Sequence, residues 1–123
     1  MPRAYCLILI VASVVLLAAQ ASAEADGPDF YDVKGVAPGD VLNMRTKADA
    51  RSAKIGAIPS DGTCLRNLGC VGGLTFEEFS TLSEAEKQKI EHQRPRWCRV
   101  KFHDVTGWVA GRYLQEPASP CQP

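Results

Sequence analysis

The chain has 123 residues, 46% of them hydrophobic and 23% charged, and its 14 Lys and Arg balance its 14 Asp and Glu. This length predicts one domain and is too short for a large catalytic architecture such as a (β/α)8 barrel or a doubly wound sheet. The charge balance gives no reason to expect binding to nucleic acid or to an anionic membrane through bulk electrostatics.

The N-terminus has the three parts of a secretory signal peptide. Arg3 precedes an uncharged apolar run over residues 7–19, and Ala21-Ser22-Ala23 supplies small residues at a cleavage site. An uncleaved anchor is the alternative, but the run is shorter than the about 20 residues of a membrane span. No cysteine follows Ala23, so a lipid anchor is not indicated. We expect a periplasmic or secreted protein with no stable membrane anchor after cleavage of residues 1–23.

The first part of the mature chain alternates between turn residues and short strands. Residues 24–29 are polar and contain Gly-Pro, which predicts a flexible leader. Strands are predicted over residues 30–36 and 41–45. In the second of these strands Leu42 and Met44 face one way, so Asn43 and Arg45 face the other.

Two more strands and a helical segment follow. Residues 54–58 and 63–68 are predicted strands, separated by the turn sequence Pro-Ser-Asp-Gly. Thr75-x-x-Glu78 and Ser83-x-x-Glu86 both have the capping-box form, so the sequence predicts two short helices within an insertion over about residues 74–95. Pro95 ends the second helix.

Strand patterns return after the insertion. Residues 97–102 alternate well, residues 103–106 supply a tight turn, and residues 107–109 predict a last short strand. Residues 111–114 predict a closing 3₁₀ turn, and the three prolines of residues 117–123 predict an extended tail. About five short strands interrupted by one helical insertion predict a mainly β protein, a small antiparallel barrel.

Four cysteines remain once Cys6 leaves with the signal peptide. An even number in an exported short domain predicts disulfides, and spacing excludes none of the three possible pairings. We prefer Cys70–Cys98, at the mouth of the insertion, together with Cys64–Cys121, which fastens the tail. The Cys64-x5-Cys70 spacing is too wide for a zinc knuckle, and neither histidine lies at ligand spacing, so no metal and no cofactor is expected.

Five sequence blocks carry a family resemblance. They occur in the order Leu42-Asn43-Met44-Arg45, Ile55-Gly56-Ala57-Ile58-Pro59, Gly62-Thr63, Trp97-Cys98-Arg99-Val100 and Gly107-Trp108-Val109-x3-Tyr113-Leu114. This order resembles the bacterial SH3-like domain family, SH3b, over about residues 30–116 less the insertion. The resemblance implies an SH3-like barrel, and in multidomain enzymes similar domains target cell-wall hydrolases to their substrate.

The chain departs from the family pattern at two places. Thr46-Lys47-Ala48 stands where members usually have a Ser-Gly-Pro turn, and the insertion lengthens a loop that is normally a short hairpin. Both departures alter the surface where a ligand would lie.

Five side chains are candidate ligand contacts, each with a structural alternative. Trp108 and Tyr113 could form an aromatic groove, but core packing is the favoured interpretation of Trp108. Trp97 should face outward, where we expect the inserted helices to cover it, because Phe76 and Phe79 also need burial. Candidate contacts on the polar face of the 41–45 strand are Asn43 and Arg45. Arg45 could bind a ligand carboxylate, although an internal pair with Asp32 or Asp40 is commoner.

The charged and reactive residues give little further indication of function. The basic residues Arg94, Arg96, Arg99 and Lys101 predict a solvated face that could meet an acidic partner. No Ser-His-Asp arrangement, phosphate loop or paired carboxylate is visible, so the chain is interpreted as non-enzymatic.

Three hypotheses from different classes follow from these observations. The first is a monomeric exported domain that binds peptidoglycan or its peptide stems. The second is a domain that binds or inhibits an envelope or host protein through the insertion. A thiol-reactive or redox protein is the third.

Overall fold

The computed structural model describes residues 27–123, so the predicted signal peptide and residues 24–26 of the predicted leader lie outside the described residues. Seven strands form one antiparallel sheet in the order β3-β2-β6-β5-β4-β1-β7. The strands are β1 (Phe30–Val33), β2 (Val41–Arg45), β3 (Lys54–Pro59), β4 (Leu65–Val71), β5 (Trp97–Phe102), β6 (Val105–Ala110) and β7 (Leu114–Gln115). The mainly β fold class with a helical insertion is confirmed.

The structure differs from the prediction of about five strands in having the very short β7 and in the length of β4, because two-residue pairing and a bulge are weak in sequence. β7 has only two residues, which pair with Asp32 and Val33 of β1. β4 runs past Leu68 because its register against β5 shifts between Asn67 and Cys70, where Gly69 adopts a φ of +118°. A bulge of this kind breaks the alternation by which a strand is recognised.

The core contains side chains from alternate strand positions. Leu42 and Met44 are buried as predicted, together with the fully covered Ile58, Val100 and Val109. Each buried aliphatic side chain of this size contributes about 1.5–3 kcal/mol relative to leaving it exposed. This packing fixes which face of β2 and β5 points outward.

Two disulfides brace this small core. Cys70 and Cys98 are register partners on β4 and β5, with Cα atoms 4.0 Å apart. Cys64 is bonded to Cys121 in the tail. The pairing is the one preferred from the sequence.

The insertion consists of α1 (Phe76–Thr81) and α2 (Glu84–Gln93). Thr75 and Glu78 form the predicted capping box, and Ser83 accepts a hydrogen bond from the Glu86 N–H. The insertion is tied at its base, where the Gly73 N–H donates to the Arg94 carbonyl over 2.7 Å. No helix within residues 27–123 is long and apolar enough to span a membrane.

The expectation that the insertion buries Phe76 and Phe79 is wrong. Phe76 is 86% exposed and Phe79 is 61% exposed, and neither helix contributes a buried residue. The physical reason is the sequence of α2, in which Ala85 and Ile90 are the only apolar residues. Two apolar side chains cannot form the stripe by which a helix packs on a core.

Candidate binding groove

A groove of about 770 Å³ crosses one end of the barrel. It lies between residues 35–37, the outward face of β2, residues 48–51, and the segment where β5, β6 and the following 3₁₀ turn (Gly111–Tyr113) meet. We call it the β2 groove. Its lining includes four of the five predicted contact residues, Asn43, Arg45, Trp97 and Tyr113.

Strand alternation positions three of these four side chains. Asn43 and Arg45 point outward because Leu42 and Met44 occupy the inward positions of β2. Trp97 likewise precedes the buried Cys98 and is half-buried on the outer face, as predicted. Period-two alternation therefore delivers side chains of two separate strands to one surface.

Tyr113 reaches the groove through the 3₁₀ turn. Its carbonyl accepts a hydrogen bond from the Lys34 N–H over 2.8 Å, which links the turn to the loop after β1. The Arg112 guanidinium carbon lies 4.8 Å from the centre of the Tyr113 ring. Arg112 also lines the groove, so a cation is held over an aromatic face at its edge.

Several polar groups at the groove have no hydrogen-bond partner within residues 27–123. These groups are the Asn43 amide, the Trp97 indole N–H and the Tyr113 hydroxyl, all on half-buried residues. The Arg112 guanidinium likewise has no ion pair in that part of the chain. No buried side-chain nitrogen or oxygen within residues 27–123 lacks a partner, so these atoms reach the solvent and are available to water or to a ligand.

The loop after β2 is held by its own polar contacts. Arg45 donates to the Ser52 carbonyl over 2.9 Å, and Asp49 accepts from the Arg51 N–H over 2.8 Å. The hydrogen bond from the Arg51 N–H, followed by that from the Arg51 side chain, lowers the pKa of Asp49 below its ordinary value of 3.8. The groove wall on this side is therefore an organised loop.

The expected internal pair of Arg45 with Asp32 or Asp40 is wrong. Arg45 is committed to Ser52, and Asp40 accepts from the Val41 N–H. Asp32 is buried and accepts from the Cys64 and Ala118 N–H groups. Both carboxylates therefore accept hydrogen bonds from backbone N–H groups, which the order of side chains in the sequence does not reveal.

The interpretation of Trp108 as barrel core is also wrong. Gly107 and Val109 take the inward positions of β6, which leaves Trp108 half-buried on the outer face. There it stands in register between Arg45 on β2 and Arg99 on β5. Trp108 lies beside the β2 groove and does not line it.

The predicted basic face is only partly present. Arg99 and Lys101 are exposed, but Arg94 pairs with Glu78 and Arg96 donates to the Gly111 carbonyl over 2.7 Å. Two of the four basic residues, Arg94 and Arg96, therefore bind within the base of the insertion and at its junction with the barrel.

A second cavity, of about 640 Å³, was missed from the sequence. It separates α2 from the barrel, and we call it the insertion cleft. Gln88, Glu91 and His92 line it from the helix side. Their i, i+3, i+4 spacing places them on one helix face and could have indicated a shared surface.

Metal ligation has little support among the described residues. Asp32, Cys64 and Cys121 place one potential ligand atom each within 4.8 Å of one another. Both sulfurs belong to the Cys64–Cys121 disulfide, and a disulfide sulfur is not a thiolate ligand.

Comparison with known proteins identifies the family. The model of the bacterial SH3 domain matches residues 40–115, which is more than half of the chain. Comparisons with curated proteins and with solved structures gave no match. The matched range contains β2 to β7, both helices and the residues of the β2 groove apart from residues 35–37. The chain therefore belongs to the bacterial SH3 domain family, a family of binding modules.

Proposed function

We propose that this chain is an exported, non-enzymatic binding domain that engages peptidoglycan or its peptide stems through the β2 groove. The observation that carries the proposal is the convergence of Asn43, Trp97, Tyr113 and Arg112 on one cavity, each with an unpartnered polar group. The family supports a binding role in general.

The chemistry of these side chains suits a peptide attached to a sugar. The Asn43 amide can donate to and accept from a peptide bond or a sugar hydroxyl. The rings of Trp97 and Tyr113 offer apolar faces with a polar atom at the edge, which fits the face of a sugar ring. The Arg112 guanidinium can bind a stem-peptide carboxylate through two parallel hydrogen bonds.

The disulfides support both export and a non-catalytic role. Disulfides persist in oxidising compartments, in agreement with the signal peptide predicted over residues 1–23. All four cysteines of residues 27–123 are paired, so none of them supplies the thiolate that a cysteine nucleophile requires. Intact-mass analysis that found free thiols in the secreted protein would favour the thiol-reactive hypothesis instead.

Co-sedimentation with purified sacculi tests the proposal. We expect residues 24–123 to be retained, and Asn43→Ala to weaken retention about fivefold or more, since one or two hydrogen bonds are lost. Gln93→Ala is the matched control, because Gln93 is an exposed amide on α2 that lines neither cavity. Retention of the wild type no greater than that of an unrelated disulfide-bonded domain contradicts the proposal, as does equal retention of both variants.

A second candidate function rests on the exposed aromatic residues of α1. Phe76 and Phe79 would supply the apolar contact of a domain that binds or inhibits an envelope or host protein. Crosslinking in the native envelope, followed by mass spectrometry, identifies such a partner. The candidate predicts that Phe76→Ala/Phe79→Ala abolishes the crosslink while the barrel stays folded. An undiminished crosslink shows that the insertion is not the contact.

A further inference from the structure

α2 faces the barrel across a cavity instead of packing on it. The helix presents Gln88, Glu91 and His92 to the insertion cleft, and none of its residues is buried. A surface helix ordinarily turns its apolar face to the core. Here a polar face is turned inward, and a cavity of about 640 Å³ lies between it and the barrel.

The position of this polar wall is fixed at its base. The Cys70–Cys98 disulfide closes the strands on either side of the insertion, and the Gly73 N–H is bonded to the Arg94 carbonyl. Gly72 adopts a φ of +72°, and a Cβ there would lie 2.5 Å from the Pro95 carbonyl oxygen. The two ends of the insertion are thus in close contact beside the cleft.

Charges on the two walls of the cleft are unpaired. Lys34, Arg96 and Arg112 lie on the barrel side and Glu91 lies on the helix side. The ion pairs within residues 27–123 are Arg51–Asp49, Lys87–Glu84 and Arg94–Glu78, and none involves these four residues. Arg96 donates to the Gly111 carbonyl, whereas the side chains of Lys34 and Arg112 make no such bond in that part of the chain. Cations facing a carboxylate across a cavity complement a ligand that carries both a carboxylate and an ammonium group.

The cleft is continuous with the β2 groove. Pro95 and Arg112 line both cavities, so a chain that occupies the groove can extend past these residues beneath α2. The junction is held by the Arg112–Tyr113 contact and by Arg96, which donates to the Gly111 carbonyl. One extended ligand can therefore contact both cavities.

We infer that the insertion cleft is a second subsite that receives the carboxylate-bearing end of a peptide whose other part lies in the β2 groove. Lys34 and Arg112 bind the carboxylate, and Glu91 accepts hydrogen bonds from an ammonium group of the same peptide. This inference rests on the proposed function, because it assigns a further segment of the same ligand. It gives the insertion a role in selecting peptides by their charged end groups.

Binding of defined soluble fragments tests the inference. The probes are disaccharide-peptides released from sacculi, either with free carboxylates or with the carboxylates amidated, titrated into residues 24–123 by calorimetry. Lys34→Gln should weaken binding of the free fragment about three- to tenfold, as expected for one charge-assisted hydrogen bond, and leave binding of the amidated fragment unchanged. Lys89→Gln is the control, since Lys89 is an exposed lysine of α2 outside the cleft.

The outcomes separate the cleft from the groove. Loss of affinity in both Lys34→Gln and Asn43→Ala supports the subsite and the proposed function. Loss in Asn43→Ala alone, with Lys34→Gln equal to wild type, overturns the subsite and leaves the proposed function standing. Loss in Lys34→Gln alone keeps the cleft as a peptide site and rejects the groove, and binding of neither fragment by the wild type rejects both.

Discussion

Cys70 and Cys98 stand directly opposite each other on β4 and β5, and their disulfide closes the mouth of the helical insertion. The bridge lies next to the bulge at Gly69, where the ladder between these strands is interrupted. The disulfide therefore holds the two strands together where backbone pairing is weakest.

Removal of this disulfide should destabilise the barrel substantially. The bridge spans 28 residues, so Cys70→Ser/Cys98→Ser should lower the free energy of unfolding by about 3–4 kcal/mol. Urea unfolding followed by tryptophan fluorescence measures the change. Non-reducing peptide mapping of the wild type checks the linkage itself, and recovery of a Cys64–Cys70 peptide would contradict the register of β4 against β5.

The buried carboxylate of Asp32 should anchor the tail. Asp32 accepts one hydrogen bond from the Cys64 N–H over 3.0 Å and another from the Ala118 N–H over 2.9 Å. Asp32→Ala leaves both donors without this partner and should cost about 1–3 kcal/mol. Asp61→Ala, at an exposed carboxylate, is the control for charge removal and should change urea unfolding little. Equal stability of the two variants contradicts the anchoring role.

The two faces of β2 should respond very differently to truncation. Met44 is 1% exposed and Val41 is 43% exposed. Met44→Ala creates a cavity in the core and should cost about 2–5 kcal/mol, whereas Val41→Ala should cost well under about 1 kcal/mol. Urea midpoints measure both. A larger loss in Val41→Ala contradicts the alternation that directs Asn43 into the β2 groove.

The cap of α1 should weaken in acid. The Thr75 N–H hydrogen bond, with a further contribution from Arg94, lowers the pKa of Glu78 below its ordinary value of 4.5. Because the folded-state pKa is depressed, the stabilisation is fully present above the ordinary value and is lost as the pH falls through the lower folded-state value. The NMR shift of the Thr75 amide should follow this titration.

Two variants control the acid titration. Glu78→Gln should abolish the titration of the Thr75 amide, while Glu77→Gln should leave it unchanged, because the Thr75 N–H donates to Glu78. A Thr75 amide that titrates at or above 4.5 contradicts the depressed pKa.

Sequence reasoning succeeded where local patterns are strong. Alternation along residues 41–45 and 97–102 predicted which side chains are buried, and that alternation also brought Asn43, Arg45 and Trp97 to one groove. The capping motifs at Thr75 and Ser83 predicted both helices of the insertion. These features depend on residues that are close together in the sequence, so a single sequence is enough to predict them.

The wrong predictions have different physical origins. The size of Trp108 favours the core, whereas alternation along β6 gives the inward position to its small neighbour Gly107. The charge of Arg45 favours a carboxylate partner, whereas the guanidinium donates to the backbone carbonyl of Ser52. The insertion cleft depends on the orientation of α2 relative to the barrel, and no local pattern encodes that orientation.

Fluorescence of Trp97 tests the ligand groove most directly. In the Trp108→Phe variant Trp97 is the sole tryptophan of the chain, and its half-buried indole lines the β2 groove. Titration with soluble disaccharide-peptides should change its emission saturably, and adding Asn43→Ala should move the midpoint to an about fivefold or more higher ligand concentration. An emission that stays constant while calorimetry records binding would contradict the assignment of the groove as the ligand site.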